Sequence, residues 1–205
     1  MKIAIVFVAV VLILSQAPAR AQNDLTITFD DPPIQPPGTA YGVTNYTEQG
    51  MSFRPLFPGY QFGRVGADPV PGRPDDGSAY LEAALTDSLL FRLGNGSSFD
   101  LVSVDLAEYS TVVPNPVTVH FVGYRSDGST VSTDFTTDGI IDGTGPLADF
   151  QTFYFGKDWT DLARVEIPTF GWSLDNLVVS TPEPQASSFM LSATLVMFVC
   201  RLRKP

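Results

Sequence analysis

The chain has 205 residues, 22 of them acidic and 12 basic, and a net charge of −10 at neutral pH. Five of the cations stand near the two ends, so residues 22–180 are about fourteen charges negative, which repels phosphate backbones and excludes nucleic-acid binding. The only cysteine is Cys200, near the C-terminus, which excludes a disulfide scaffold or a thiolate zinc site in the body of the chain.

At the N-terminus, Lys2 precedes an unbroken apolar run from Ile3 to Leu14, then polar Ser15 and Gln16, then Ala19-Arg20-Ala21. Charge, apolar run and small-x-small site in that order predict a secretory signal peptide, with Ala19 and Ala21 marking the cleavage site for signal peptidase. The run is shorter than the roughly 20 apolar residues of a spanning helix, which argues against a retained anchor. Residues 22–180 then match one ordinary domain, long enough to bury a core without metal or disulfide staples.

That body reads as all-β. Its apolar residues alternate or run in short blocks broken by Gly, Pro, Asp, Asn and Ser. Leu25–Phe29 is the first predicted strand, ended by Asp30-Asp31-Pro32-Pro33, and a loop follows to about Gln49. Gly50–Phe53, Tyr60–Val65, Ala79–Ala83 and Ser88–Leu93 are the next strands, with the Pro-rich surface loop Asp68–Gly77 between the second and third of these.

Alternation is clearest between Phe99 and Phe135. Val102, Val104 and Leu106 are expected on one face, with Ser103, Asp105 and Ala107 on the other. Val117, Val119 and Phe121 repeat the pattern. Ser126-Asp127-Gly128-Ser129 then makes a tight turn needing positive φ at Gly128, and Val131, Thr133 and Phe135 return antiparallel. Phe150–Phe155, Leu162–Ile167 and Ser173–Val179 close the domain. About eleven short strands without internal repeats predict a two-sheet antiparallel β-sandwich.

The last segment, Thr181–Pro205, has three parts. Pro182-Glu183-Pro184 comes first, then an apolar stretch from Phe189 to Cys200, then Arg201, Arg203 and Lys204. This order resembles the PEP-CTERM sorting signal of exported bacterial proteins. The resemblance implies transient inner-membrane anchoring by a C-terminal hydrophobic helix, recognition by an exosortase near Pro182-Glu183-Pro184, and release or transfer to the cell surface. The serines and threonine of the stretch (Ser187, Ser188, Ser192, Thr194) make a processing signal the better reading than a permanent anchor.

The body is similar to domains carried in front of such tails. The likeness rests on a first strand ending in Phe29-Asp30, the Val119–Ser132 hairpin, the Asp149–Phe155 strand and the Ser173–Val179 strand. Those domains resemble carbohydrate-binding jelly rolls of the galactose-binding kind. The expected organisation is therefore a signal peptide (1–21), a jelly-roll β-sandwich (22–180) and a sorting tail (181–205). In such modules an acidic residue near the start and an Asp near the end often share a structural calcium, which makes Asp30, Asp31 and Asp175 candidate ligands. Turn capping before Pro32 accounts for Asp30 and Asp31 without a metal.

Catalytic constellations are scarce. A Ser-His-Asp hydrolase would have to use His120, the single histidine, but that residue falls mid-strand and no G-x-S-x-G element is present. Glu82, Glu108 and Glu166 lie in strands and could serve a glycosidase, although their spacing singles out no pair. Tyr41, Tyr46, Tyr60, Tyr109, Trp159 and Trp172 lie in or near loops, where aromatic rings either stack on sugars or fill the core. The sum predicts an exported, non-catalytic cell-surface or extracellular-matrix protein, capable of binding polysaccharide. Its other partners would be the export machinery, signal peptidase and exosortase. A jelly-roll glycan hydrolase or lyase, and a purely structural or adhesive surface protein, are the alternatives.

Overall fold

The computed structural model describes residues 22–84, 88–110, 115–141 and 149–182. The expected signal peptide and the sorting tail after Pro182 lie outside the described residues. No helix among the described residues is long and apolar enough to cross a membrane. Residues 24–181 form a unit with its own core.

The short apolar blocks become thirteen strands. β1 (Gln22–Ile27), β2 (Ala40–Val43), β3 (Tyr46–Glu48), β4 (Met51–Pro55), β5 (Phe62–Val65), β6 (Tyr80–Ala83) and β7 (Leu89–Leu93) occupy the first half. β8 (Asp100–Glu108), β9 (Thr118–Arg125), β10 (Thr130–Thr136), β11 (Gln151–Tyr154), β12 (Leu162–Ile167) and β13 (Trp172–Pro182) follow. One sheet has the order β11-β8-β13-β6-β5-β2, with β1 added to β13, and the other β10-β9-β12-β7-β4-β3.

From β6 onward the strands are shared between the sheets as a jelly roll. The orders β6-β13-β8-β11 and β7-β12-β9-β10 are those of two interlocked Greek keys. β5 and β2 extend the first sheet past β6, while β4 and β3 extend the second past β7. Every ladder along these two strand orders is antiparallel.

Between the sheets the inward side chains form one core. Phe29, Phe53, Phe91 and Phe99 run through it as a chain of rings with centroids 5.2, 5.6 and 6.2 Å apart. Phe121, Phe155 and Trp159 continue it at 5.2 and 4.7 Å. Each wholly buried phenylalanine contributes about 1.5–3 kcal/mol by leaving water. At the β10–β11 side, Phe135 stacks on Phe153 at 5.0 Å and joins the two sheets.

Two expectations need correction, and the surface loop Asp68–Gly77 gains a defined course. The loop read between Pro33 and Gln49 contains β2 and β3, short strands that pair with β5 and β4. In β8 the inward residues are Leu101, Val104 and Leu106, while Val102 is only half-buried. The ladder shifts register opposite this point, around the positive φ of Asn176 in β13, and that irregularity breaks simple alternation. The Asp68–Gly77 loop does not stand off the surface. Val70 packs with Val65, Tyr80, Ala107 and Phe150 in a second small cluster, so the loop lies across the outer face of the first sheet.

Candidate functional site

Two depressions adjoin the β4–β5 connection, one at the end of β4 and the other against β5 and β2 at the edge of the first sheet. The chain leaves β4 through Pro55-Leu56-Phe57-Pro58-Gly59-Tyr60, where the prolines offer no backbone donors for further pairing. Gly59 takes φ of 87°, closed to most side chains, and the amide of Tyr60 turns back to the carbonyl of Phe57 at 3.4 Å. This tight turn holds the Phe57 and Tyr60 rings edge to face at 6.2 Å, and they remain 53% and 45% exposed. With Thr44, Arg54 and Leu56 they line a depression of about 340 Å³.

The second depression, of about 330 Å³, has a glycine floor. Gly42 of β2 stands opposite Gly63 of β5, and Gly63 opposite Glu82 of β6. A Cβ on Gly42 would meet the amide of Gln61, and one on Gly63 would meet the side chain of Glu82. The missing side chains thus let Gln61 and Glu82 lie over the sheet. Arg73 pairs with Glu82 at 2.9 Å, and its guanidinium covers the Tyr109 ring at 4.0 Å while donating to the Tyr109 hydroxyl at 2.5 Å. Tyr41, 41% exposed, touches this depression at its margin and donates its hydroxyl to the Gln35 carbonyl. Aromatic faces, a held guanidinium and an amide together are the chemistry that recognises a polar ring with many hydroxyls.

The loop aromatics singled out in the sequence divide cleanly. Tyr46, Trp159 and Trp172 are buried in the core, and Tyr109 is half-buried against Arg73. Tyr41 and Tyr60 are exposed at the depressions. Phe57 was not among the candidates. Its signal was two prolines and a glycine around an aromatic, a turn too short to bury the ring.

The candidate calcium ligands do not assemble. Asp175 is wholly buried beside Asp76 and accepts the Ser78 hydroxyl at 2.7 Å. Asp30 accepts the Ala79 amide at 2.9 Å, so these two carboxylates fasten the same end of the loop over the first sheet. Asp31 joins neither, and its carbonyl accepts the Tyr46 hydroxyl at 2.6 Å. Among the described residues no three His, Cys, Asp or Glu side chains are placed as a metal-binding group. Asp175 Oδ1 and Asp76 Oδ2 are buried without a hydrogen bond, and neither Asp30 nor Asp31 completes a carboxylate cluster with them. What the pair fits is a proton: burial first, and Asp76 next, push the Asp175 carboxyl up to about 10.

The three strand glutamates stand on three different surfaces. Glu82 is on the outer face of the first sheet. Glu166 is on the outer face of the second, where Arg164 holds it at 2.9 Å and Tyr124 donates to it at 3.0 Å. Glu108 sits on the inner side, opposite Trp172, and accepts the Gly139 amide at 2.6 Å. No two of them face each other across a cleft, as a glycosidase pair must. His120 lies on the outer face of the second sheet with Asp134 at 2.5 Å, and no serine hydroxyl bonds to it among the described residues.

No family model and no curated protein matches the chain. Among solved structures it is similar to family 29 carbohydrate-binding modules. A CBM29-2 mutant complexed with cellulohexaose is 12% identical, with a TM-score of 0.37 over 80% of this chain and 94% of that one. A CBM29-2 mutant complexed with mannohexaose is 11% identical, with a TM-score of 0.35 over 79% and 94%. A further family 29 module is 13% identical, with a TM-score of 0.33 over 79% and 90%. Likeness at this level transfers neither ligand nor residue, and the jelly-roll assignment stands on strand order and register alone.

Proposed function

We propose that residues 22–180 are a non-catalytic glycan-binding sandwich of an exported protein, displayed at or released from the cell surface after exosortase processes its Pro182-Glu183-Pro184 tail. One observation carries the binding half of this reading. Two exposed aromatics, Phe57 and Tyr60, stand edge to face beside Arg54 in one depression, and a second depression presents Gln61 and the Arg73–Glu82 pair with exposed Tyr41 at its margin. Exposed aromatic rings lose more by facing water than by stacking on a sugar face. The scattered glutamates support the non-catalytic half, and the two terminal segments of the sequence support the route.

Retention of the exported protein on immobilised polysaccharides tests the reading. Binding is expected to weaken about tenfold when Phe57 and Tyr60 are both changed to alanine, the loss expected for one to two stacked rings. Silence across neutral and acidic polysaccharides would remove the glycan reading and leave a structural or adhesive role.

A further inference from the structure

We propose that the ligand is an acidic glycan, whose carboxylate or sulfate groups sit on Arg54 and Arg92 while its rings meet the Phe57–Tyr60 shelf. This rests on the glycan-binding reading above and names the class of glycan.

The placement of positive charge carries it. Residues 22–180 hold seven cations against about three times as many carboxylates. Arg64 and Arg73 are spent inside the fold, on the Phe29 carbonyl and on Glu82. Arg125 fastens a loop through the Asp158 carbonyl and the Ser129 hydroxyl. Three of the remaining four, Arg54, Arg92 and Arg164, stand on the outer face of one sheet, on neighbouring strands β4, β7 and β12.

Register shows how close they are. Arg54 lies opposite Leu90, and Arg92 opposite Ser52, which makes the two arginines diagonal neighbours across one strand pair. Such neighbours are about 7–8 Å apart, near enough for two guanidiniums to repel each other. Glu166, opposite Leu90 on the other side, is the nearest acid in the row, but it is held by Arg164 and Tyr124. Arg164 in turn covers the Tyr124 ring at 3.7 Å. Arg54 and Arg92 are exposed and have no hydrogen bond or ion pair among the described residues.

An acidic protein therefore keeps two unpaired guanidiniums side by side, at a cost, beside an aromatic shelf. Arg54 belongs to both, because it lines the depression with Phe57 and Tyr60. A planar guanidinium fork binds a carboxylate or sulfate through two hydrogen bonds, and the adjacent rings take the apolar face of the sugar carrying it. The surrounding negative charge resists long polyanions without such a ring, nucleic acids among them.

The experiment measures dissociation constants of the exported protein for a uronate-bearing, a sulfated and a neutral polysaccharide, and for single-stranded DNA, at low and high salt. The proposal expects the acidic glycans to bind at least about tenfold tighter than the neutral one, with the gap closing at high salt. Arg54→Gln with Arg92→Gln should bring the acidic glycans down to the affinity of the neutral one without lowering the unfolding midpoint, and Lys157→Gln should leave the gap in place. Equal binding of neutral and acidic glycans, or a gap that survives the double substitution, overturns the proposal while glycan binding stands. Equal retention of DNA reduces the face to an ion exchanger and overturns it too. No retention of any glycan overturns both readings.

Discussion

The carboxylate of Glu48 accepts the backbone amide of Phe29 at 2.8 Å, and Phe29 is one of four non-glycine residues held at positive φ among the described residues. Glu48 also meets the Thr28 amide at 3.3 Å and the Tyr46 hydroxyl at 2.7 Å, while Arg64 caps the Phe29 carbonyl at 2.9 Å. One buried acid thus holds the bend that carries the chain from β1 into the core and lets Phe29 meet Phe53 edge to face. A buried charged hydrogen bond is worth about 1.5–3 kcal/mol, and losing it frees a left-handed residue as well. Glu48→Ala is therefore expected to cost about 2–4 kcal/mol in urea denaturation, with Tyr46→Phe costing less because it removes only one of the four donors to the carboxylate.

Asp175 makes stability depend on pH in an unusual direction. Its carboxyl ordinarily titrates at 3.8, and in the folded chain burial and Asp76 raise it to about 10. Below the lower value both states are protonated and nothing is lost. Between the two values the unfolded chain releases a proton that the folded chain keeps, so the folded state weakens steadily as pH rises, and the contribution is gone above the folded value. Denaturation midpoints should accordingly fall from pH 5 to pH 9 by more than the other carboxylates explain. Asp175→Asn keeps the Ser78 partner, carries no charge, and should flatten that slope. An unchanged slope in the variant would place the titration elsewhere.

The parts of the fold that were legible in the sequence are those decided locally. The β9–β10 hairpin forms as read, because Gly128 takes φ of 87° and Asp127 accepts the Ser129 amide at 2.8 Å within a few residues of chain. β2 went unread because its side chains are exposed or half-buried and its pairing comes wholly from β5, some twenty residues away. The arginine face shows the same limit. Outward parity at Arg54, Arg92 and Arg164 can be counted along each strand, but that β4, β7 and β12 are neighbours follows only from long-range pairing. The candidate aspartates were chosen by resemblance, from the end of the first strand and from the last strand, whereas the partner that Asp175 meets, Asp76, comes from the Pro-rich surface loop, whose course over the first sheet is set by long-range packing.

Gly63 tests the floor of the second depression. An added methyl would meet the Glu82 side chain, which is held between the sheet and Arg73 and has little room to retreat. Overpacking of this kind costs about 1–3 kcal/mol, and here it also pushes Glu82 off Arg73 and loosens the guanidinium from Tyr109. Gly63→Ala should lower the denaturation midpoint at unchanged slope. Gly156→Ala, where the methyl meets nothing within 4 Å, should leave it in place.

His120 gives the sharpest separation of binding from hydrolysis. Its ring meets Asp134 at 2.5 Å, but the two side chains are 37% and 61% exposed. An exposed pair of this kind is worth less than about 1 kcal/mol, so His120→Ala should shift stability only slightly. A histidine-dependent hydrolase would lose all turnover with that change, because the chain has no second histidine to take the proton. The expected result is unchanged glycan retention in the variant, and no release of reducing ends or esters by either protein. Turnover in the parent that disappears with His120→Ala would instead assign the outer face of the second sheet to catalysis.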